Sequence, residues 1–223
     1  MTGLNKQTRE PFFNFTEAVP AYLAGVLIAI FTLVQIIPGL SELLIRFIYI
    51  RPFGAPYLSM PEQIVSLLGH GSYHGGIGHL GMNAAMIAIL GIATVKSARL
   101  KSISQGRQRS PNLVFITIFI VGVIAGGLAQ WLWWAVVQAP MNSAAVGASG
   151  GASALLATAG WAIGGKDKMF QFALGWALIN VIMVVVGPFI GMNVAWAAHI
   201  GGFIGGMALA APLLKANSTS LSL

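Results

Sequence analysis

Cysteine is absent from this 223-residue sequence, and acids are scarce: five Asp and Glu stand against twelve Lys and Arg. Without cysteine there are no disulfides and no thiolate metal sites. Charged residues make up only 8% of the chain, against roughly a quarter in a soluble domain. With 57% hydrophobic residues, most of the chain must face lipid or other apolar surface rather than water. The net charge of +7 has no basic run interleaved with aromatics, which argues against a nucleic-acid partner. In a membrane protein such an excess belongs to cytoplasmic loops.

The apolar residues fall into six runs, each long enough to cross a hydrocarbon core about 30 Å thick. They are Val19–Ile37, Ile77–Val95, Leu113–Val137, Ala148–Gly165, Phe170–Val186 and Val194–Leu214. The expected fold is all-α, a polytopic bundle of six transmembrane helices over residues 19–214. It is flanked by a cytoplasmic segment, 1–18, and a cytoplasmic tail, 215–223. No small-residue cleavage site follows the first run, which reads as a retained anchor. Between the second and third runs lie Lys96, Arg99, Lys101, Arg107 and Arg109 with no acid among them. The positive-inside rule makes that loop cytoplasmic. Alternation then puts both termini and the Lys166–Lys168 turn on the same side, each carrying Lys or Arg. The long first outward loop, Pro38–Gly76, contains Leu40, Leu43, Leu44, Phe47 and Ile48 at helical spacing, which predicts a short interfacial or loop-packed helix.

Ionisable groups at membrane depth are costly and mark function by default. His70, His74 and His79 sit at the outward end of the second run, and His199 near the outward end of the sixth. The charge-derived topology therefore brings all four to one side. Asn83 follows His79 by four residues and shares its helix face. Ser149 lies in Gly147-Ala148-Ser149-Gly150 at the outward start of the fourth run. There the unpaired N–H groups of a helix N-terminus favour a developing oxyanion. By itself this sequence also reads as small-residue helix packing. His199 opens His199-Ile200-Gly201-Gly202-Phe203-Ile204-Gly205-Gly206, two overlapping small-xxx-small pairs that permit close approach to the glycine-rich start of the fourth run. A histidine there serves either as a partner for Ser149 or as a bond to a neighbouring carbonyl.

Taken together, His70-x3-His74-x4-His79-x3-Asn83, Gly147-x-Ser149-Gly150 and Ala198-His199-x2-Gly202-x3-Gly206 resemble the rhomboid family of intramembrane serine proteases. The resemblance spans about Glu62 to Leu214. It implies a multi-pass protein of a cell membrane, the bacterial inner membrane for the six-span form, acting on transmembrane protein substrates without a cofactor. Ser149 would be the nucleophile and His199 its base. His79, Asn83 and the Ser149 backbone N–H would surround the oxyanion, with Gly147 and His74 in support. Two departures from the family pattern stand out. Ser153 occupies a position often held by tyrosine, and no Trp-Arg pair precedes the histidines. No carboxylate is placed to complete a triad. Asp167 lies 18 residues beyond Ser149, about 27 Å along a helix, so a Ser149–His199 dyad is expected. The competing readings are a proteolytically inactive relative that binds membrane proteins, a histidine-lined transporter and a histidine metal site. The last lacks an acid between Glu62 and Asp167 to serve as general base.

Overall fold

The computed structural model describes residues 18–190 and 193–216. The expected cytoplasmic segment, apart from residue 18, and the tail from residue 217 onward lie outside the described residues. Seven helices follow in order: α1 (Val19–Ile36), α2 (Leu40–Ile48), α3 (Met60–Gly69), α4 (Ile77–Ser104), α5 (Pro111–Val136), α6 (Ser149–Val186) and α7 (Trp196–Leu213). Short 3-10 turns occupy His70–Ser72 and Gly187–Ile190. Five of these helices are long and apolar enough to cross a membrane.

Six crossings were expected, and the difference lies in α6. Its 38 residues would extend about 57 Å as a straight helix, nearly twice the hydrocarbon thickness. The dihedrals break at Gly164 (φ −160°, ψ 32°) and Gly165 (φ 64°, ψ −145°). Gly165 thus adopts a positive-φ conformation that side chains disfavour. Beyond this break the chain turns back: a Cβ on Gly160 would sit 2.9 Å from Met169 Cα. The two limbs, 149–163 and 166–186, are therefore antiparallel neighbours. The turn is so tight that helix runs into helix, and Lys166–Lys168, expected as a loop, joins the second limb.

The long loop holds two helices where one was expected. In α2, Leu40 and Leu44 pack with Val34, Ile48 and Tyr73, while Leu43 and Phe47 stay exposed. The second helix, α3, begins with a capping box. The Glu62 carboxylate accepts from Ser59 N–H at 2.7 Å and from Ser59 Oγ at 2.8 Å. These bonds, with the Arg46 guanidinium at 3.1 Å, hold the Glu62 carboxyl below its usual pKa. Ile50 exchanges backbone bonds with Ala145 (3.1 and 3.0 Å), and Trp131 Nε1 donates to Arg51 O at 2.7 Å. This first long loop is thereby tied to the α5–α6 connection.

Helix α7 packs closely against α5 and the first limb of α6. The small residues are the contact points. A methyl group at Gly202 would overlap the Gly150 carbonyl, one at Gly206 the Ala154 backbone, and one at Gly126 would come 2.7 Å from Ala198 O. At the opposite end, Ser97 Oγ donates to Lys215 O (2.6 Å), Lys101 Nζ to Ala211 O (3.2 Å) and Trp161 Nε1 to Leu214 O (3.3 Å). The lysine-bearing ends of α4 and α7 thus meet at one pole. Ser149, His79 and His199 lie near the starts of α6, α4 and α7, at the other pole.

Replacing a mid-helix Gly by Ala gains up to about 1 kcal/mol of helix propensity, whereas overpacking costs about 1–3 kcal/mol. At Gly202 the obstacle is backbone, so overpacking wins, and Gly202→Ala should lower the thermal midpoint in detergent. At Gly175, in the second limb, an added methyl group would have nothing within 4 Å. Gly175→Ala should leave the midpoint unchanged or raise it. Equal effects at the two sites would argue against the backbone contact.

Candidate active site

Ser149 is the first residue of α6, and its position is set by the histidine-bearing segment before α4. Gly147 N–H donates to His70 O at 2.8 Å, and Ala148 N–H donates to His74 Nε2 at 3.3 Å. His70 Nδ1 in turn bonds Ser66 O at 2.9 Å. Because His74 accepts at Nε2, its proton resides on Nδ1. Burial, helped by the adjacent His79, pushes the His74 pKa down to about 4 and keeps the ring neutral. His70 and His74 therefore tether the loop entering α6.

The His79 ring meets the His74 ring edge-on, with centroids 5.1 Å apart. It also lies against Gly147, which has φ +126°; a methyl group there would come 2.7 Å from His79 Nε2. Glycine is required at 147 on both counts, by its dihedral and by the imidazole. Asn83 is fully buried, and its Nδ2 donates to His79 O at 2.8 Å. One of its two amide hydrogens is thus taken by the helix's own backbone.

A cavity of about 560 Å³ opens over these elements, lined by Ser149, His199, His79, Gln130, Trp134 and Met183 among others. Ser149, His79 and His199 thus share one chamber, whereas Asn83, Gly147 and His74 do not line it. No hydrogen bond joins Ser149 to His199 among the described contacts; such pairs are often loose until substrate binds. The N–H groups of Ser149, Gly150 and Gly151 open α6 and lack intrahelical acceptors. No acid is among the described residues lining the cavity. Among the described residues no three His, Asp or Glu side chains converge as a metal-binding set.

His199 is 4% exposed and is held from the second limb of α6. Its Nδ1 lies 2.6 Å from Asn180 Oδ1, and the Trp176 ring packs on it at 5.3 Å between centroids. Neither residue stood out in the sequence, although an amide within the apolar run Phe170–Val186 was a usable signal. The same holds for Gln130 in α5, buried in the cavity wall. Ser153, at the tyrosine-to-serine departure, is fully buried, and its Oγ donates to Ser149 O at 2.7 Å.

That burial leaves no room for a ring at 153. Ser153→Tyr should destabilise the fold, by about 1–3 kcal/mol of overpacking, read as a lower melting midpoint. A tyrosine accepted at 153 with an unchanged midpoint would show that the site is roomier than its burial indicates.

No curated protein matches this sequence. The family model described as Rhomboid domain matches residues 61–216, more than two-thirds of the chain. With its bundle of apolar helices, this chain is a multi-pass membrane protein that belongs to the rhomboid family, a family of the intramembrane-protease type.

Proposed function

We propose that this protein hydrolyses peptide bonds in or near transmembrane segments of other membrane proteins, with Ser149 as nucleophile and His199 as general base. The observation that carries the reading is the meeting of Ser149, His199 and His79 in one cavity at the N-terminus of α6. Ser149 Oγ would attack the scissile carbonyl carbon while its proton passes to His199. The carbonyl oxygen becomes an oxyanion facing the first-turn N–H groups of α6 and the His79 imidazole. Collapse of this intermediate breaks the C–N bond, and His199 returns the proton to the leaving amine. Water then attacks the Ser149 ester and loses a proton to His199. The C–O bond breaks, Ser149 regains its proton, and the second product leaves as a carboxylic acid. Asn83, Gly147 and His74 support this arrangement through their contacts with His79 and with the residues preceding Ser149.

The orientation in the membrane is part of the same proposal. The basic residues at the pole formed by α4 and α7 support a cytoplasmic location for that end. The cavity then opens toward the outer side.

The test is cleavage of a model transmembrane substrate by purified protein. Ser149→Ala and His199→Ala should each remove turnover, by about 10⁴-fold or more, without lowering the melting midpoint by more than a few degrees. Turnover persisting in pure Ser149→Ala protein would end the serine-protease reading. His79→Ala should lower kcat by about 10²–10³-fold, the usual effect of losing one oxyanion donor. Full turnover in that variant would move the donor role elsewhere.

A further inference from the structure

A histidine base must keep one nitrogen free of hydrogen and pointed at the nucleophile, which requires something to hold the other nitrogen. In a soluble serine protease a buried carboxylate does this. At membrane depth a carboxylate is expensive, and no acid lines this cavity among the described residues. An amide oxygen supplies an acceptor without a buried charge.

Asn180 is placed to do so. It is 3% exposed, with Oδ1 2.6 Å from His199 Nδ1. Its own orientation is fixed, because Nδ2 donates to Trp176 O at 2.8 Å, one helical turn earlier. With the amide nitrogen committed to that carbonyl, the atom facing His199 is the oxygen, which can only accept. His199 must therefore carry its proton on Nδ1, which leaves the Nε2 lone pair available. Trp176 shares this helix face with Asn180 and packs its ring on the imidazole. Rotation that would exchange the two nitrogens is blocked on one side by a ring and at one edge by a hydrogen bond.

We propose that Asn180 is the positioning residue of the catalytic histidine: it selects the Nδ1–H tautomer of His199 and aims Nε2 at Ser149, with Trp176 as its packing platform. The proposal rests on the reading of Ser149 and His199 as nucleophile and base. When His199 takes the Ser149 proton, its bond to Asn180 becomes charge-assisted and strengthens. The interaction therefore stabilises the transition state more than the resting enzyme.

The experiment compares Asn180→Leu, close in size but without an acceptor, with Asn180→Asp, whose carboxyl keeps an acceptor at the same place whether ionised or protonated. Asn180→Leu should lower kcat by about 10²–10⁴-fold with KM little changed, while Asn180→Asp stays within about tenfold of the unsubstituted protein. A folded Asn180→Leu protein with undiminished kcat overturns the proposal, as does an Asn180→Asp protein that is folded and as slow as Asn180→Leu. If Asn180→Leu does not fold, the tautomer is read directly in the unsubstituted protein. Nitrogen-15 spectra of the histidine side chains, with His199 assigned by its loss in His199→Gln, should show Nδ1–H. An Nε2–H tautomer overturns the proposal. Ser149→Ala serves as the separate control: cleavage persisting there overturns the serine reading and leaves the tautomer result standing.

Discussion

Lipid offers no hydrophobic reward for turning one leucine toward another, so helices in a bilayer associate where their backbones can come close. In this protein that place is the seam of α7 with α5 and the first limb of α6. Gly202 sits on the Gly150 carbonyl, Gly206 on the Ala154 backbone, and Gly126 on the Ala198 carbonyl. The seam passes directly beside Ser149 and His199, which flank Gly150 and Ala198 in the sequence. The residues that pull the helices together are thus the neighbours of the residues that line the cavity. A single side-chain atom added at the seam would separate both at once.

A second constraint is the cost of polar groups away from water. His70, His74, Asn83 and Asn180 are each tied to a backbone group of the bundle, and Asn180 also to His199. His70 and His74 fix the two backbone N–H groups that precede Ser149. Asn83 ties back onto His79 O, and Asn180 bridges Trp176 O to His199. The two bonds that hold the Ser149 helix start both come from the segment 70–74, while Asn180 holds His199 from the second limb of α6. Such a network is rigid when complete and costly when one member is lost. That combination suits a site whose parts must meet within a few tenths of an ångström.

The departure at Ser153 illustrates how a sequence pattern can be read correctly and still leave its consequence open. The missing aromatic at position 153 was visible in the sequence; what steadies His199 was not. The answer lies on a different segment: Trp176 and Asn180 belong to the second limb of α6, and their relation to His199 exists only after the chain folds back at Gly164–Gly165. The capping box Ser59-x-x-Glu62 that opens α3 was not read from the sequence, where the apolar spacing that marks α2 is the stronger signal in that loop. The merging of two spans into α6 has a similar origin. Glycines punctuate the sequence in many places, and the positive φ that makes Gly165 a turn is not distinguishable there from the glycines that merely pack.

The apolar runs, the basic residues between them and the ordered His, Ser and His motifs were determined by the sequence alone. They follow from composition, length and spacing, quantities that need no knowledge of neighbours. Membrane insertion and family membership are of this kind, since hydrocarbon thickness and helical rise fix what a run of given length can do. The tertiary structure decided which polar groups share the cavity, which of His79 and Asn83 reaches it, and which amide holds His199. Those are questions of distance between segments far apart in the chain. His199 and Asn180 are 19 residues apart, and Ala148 and His74 are 74 apart; the turn at Gly164–Gly165 and the packing of α6 against α7 and against the segment before α4 bring them within hydrogen-bonding reach.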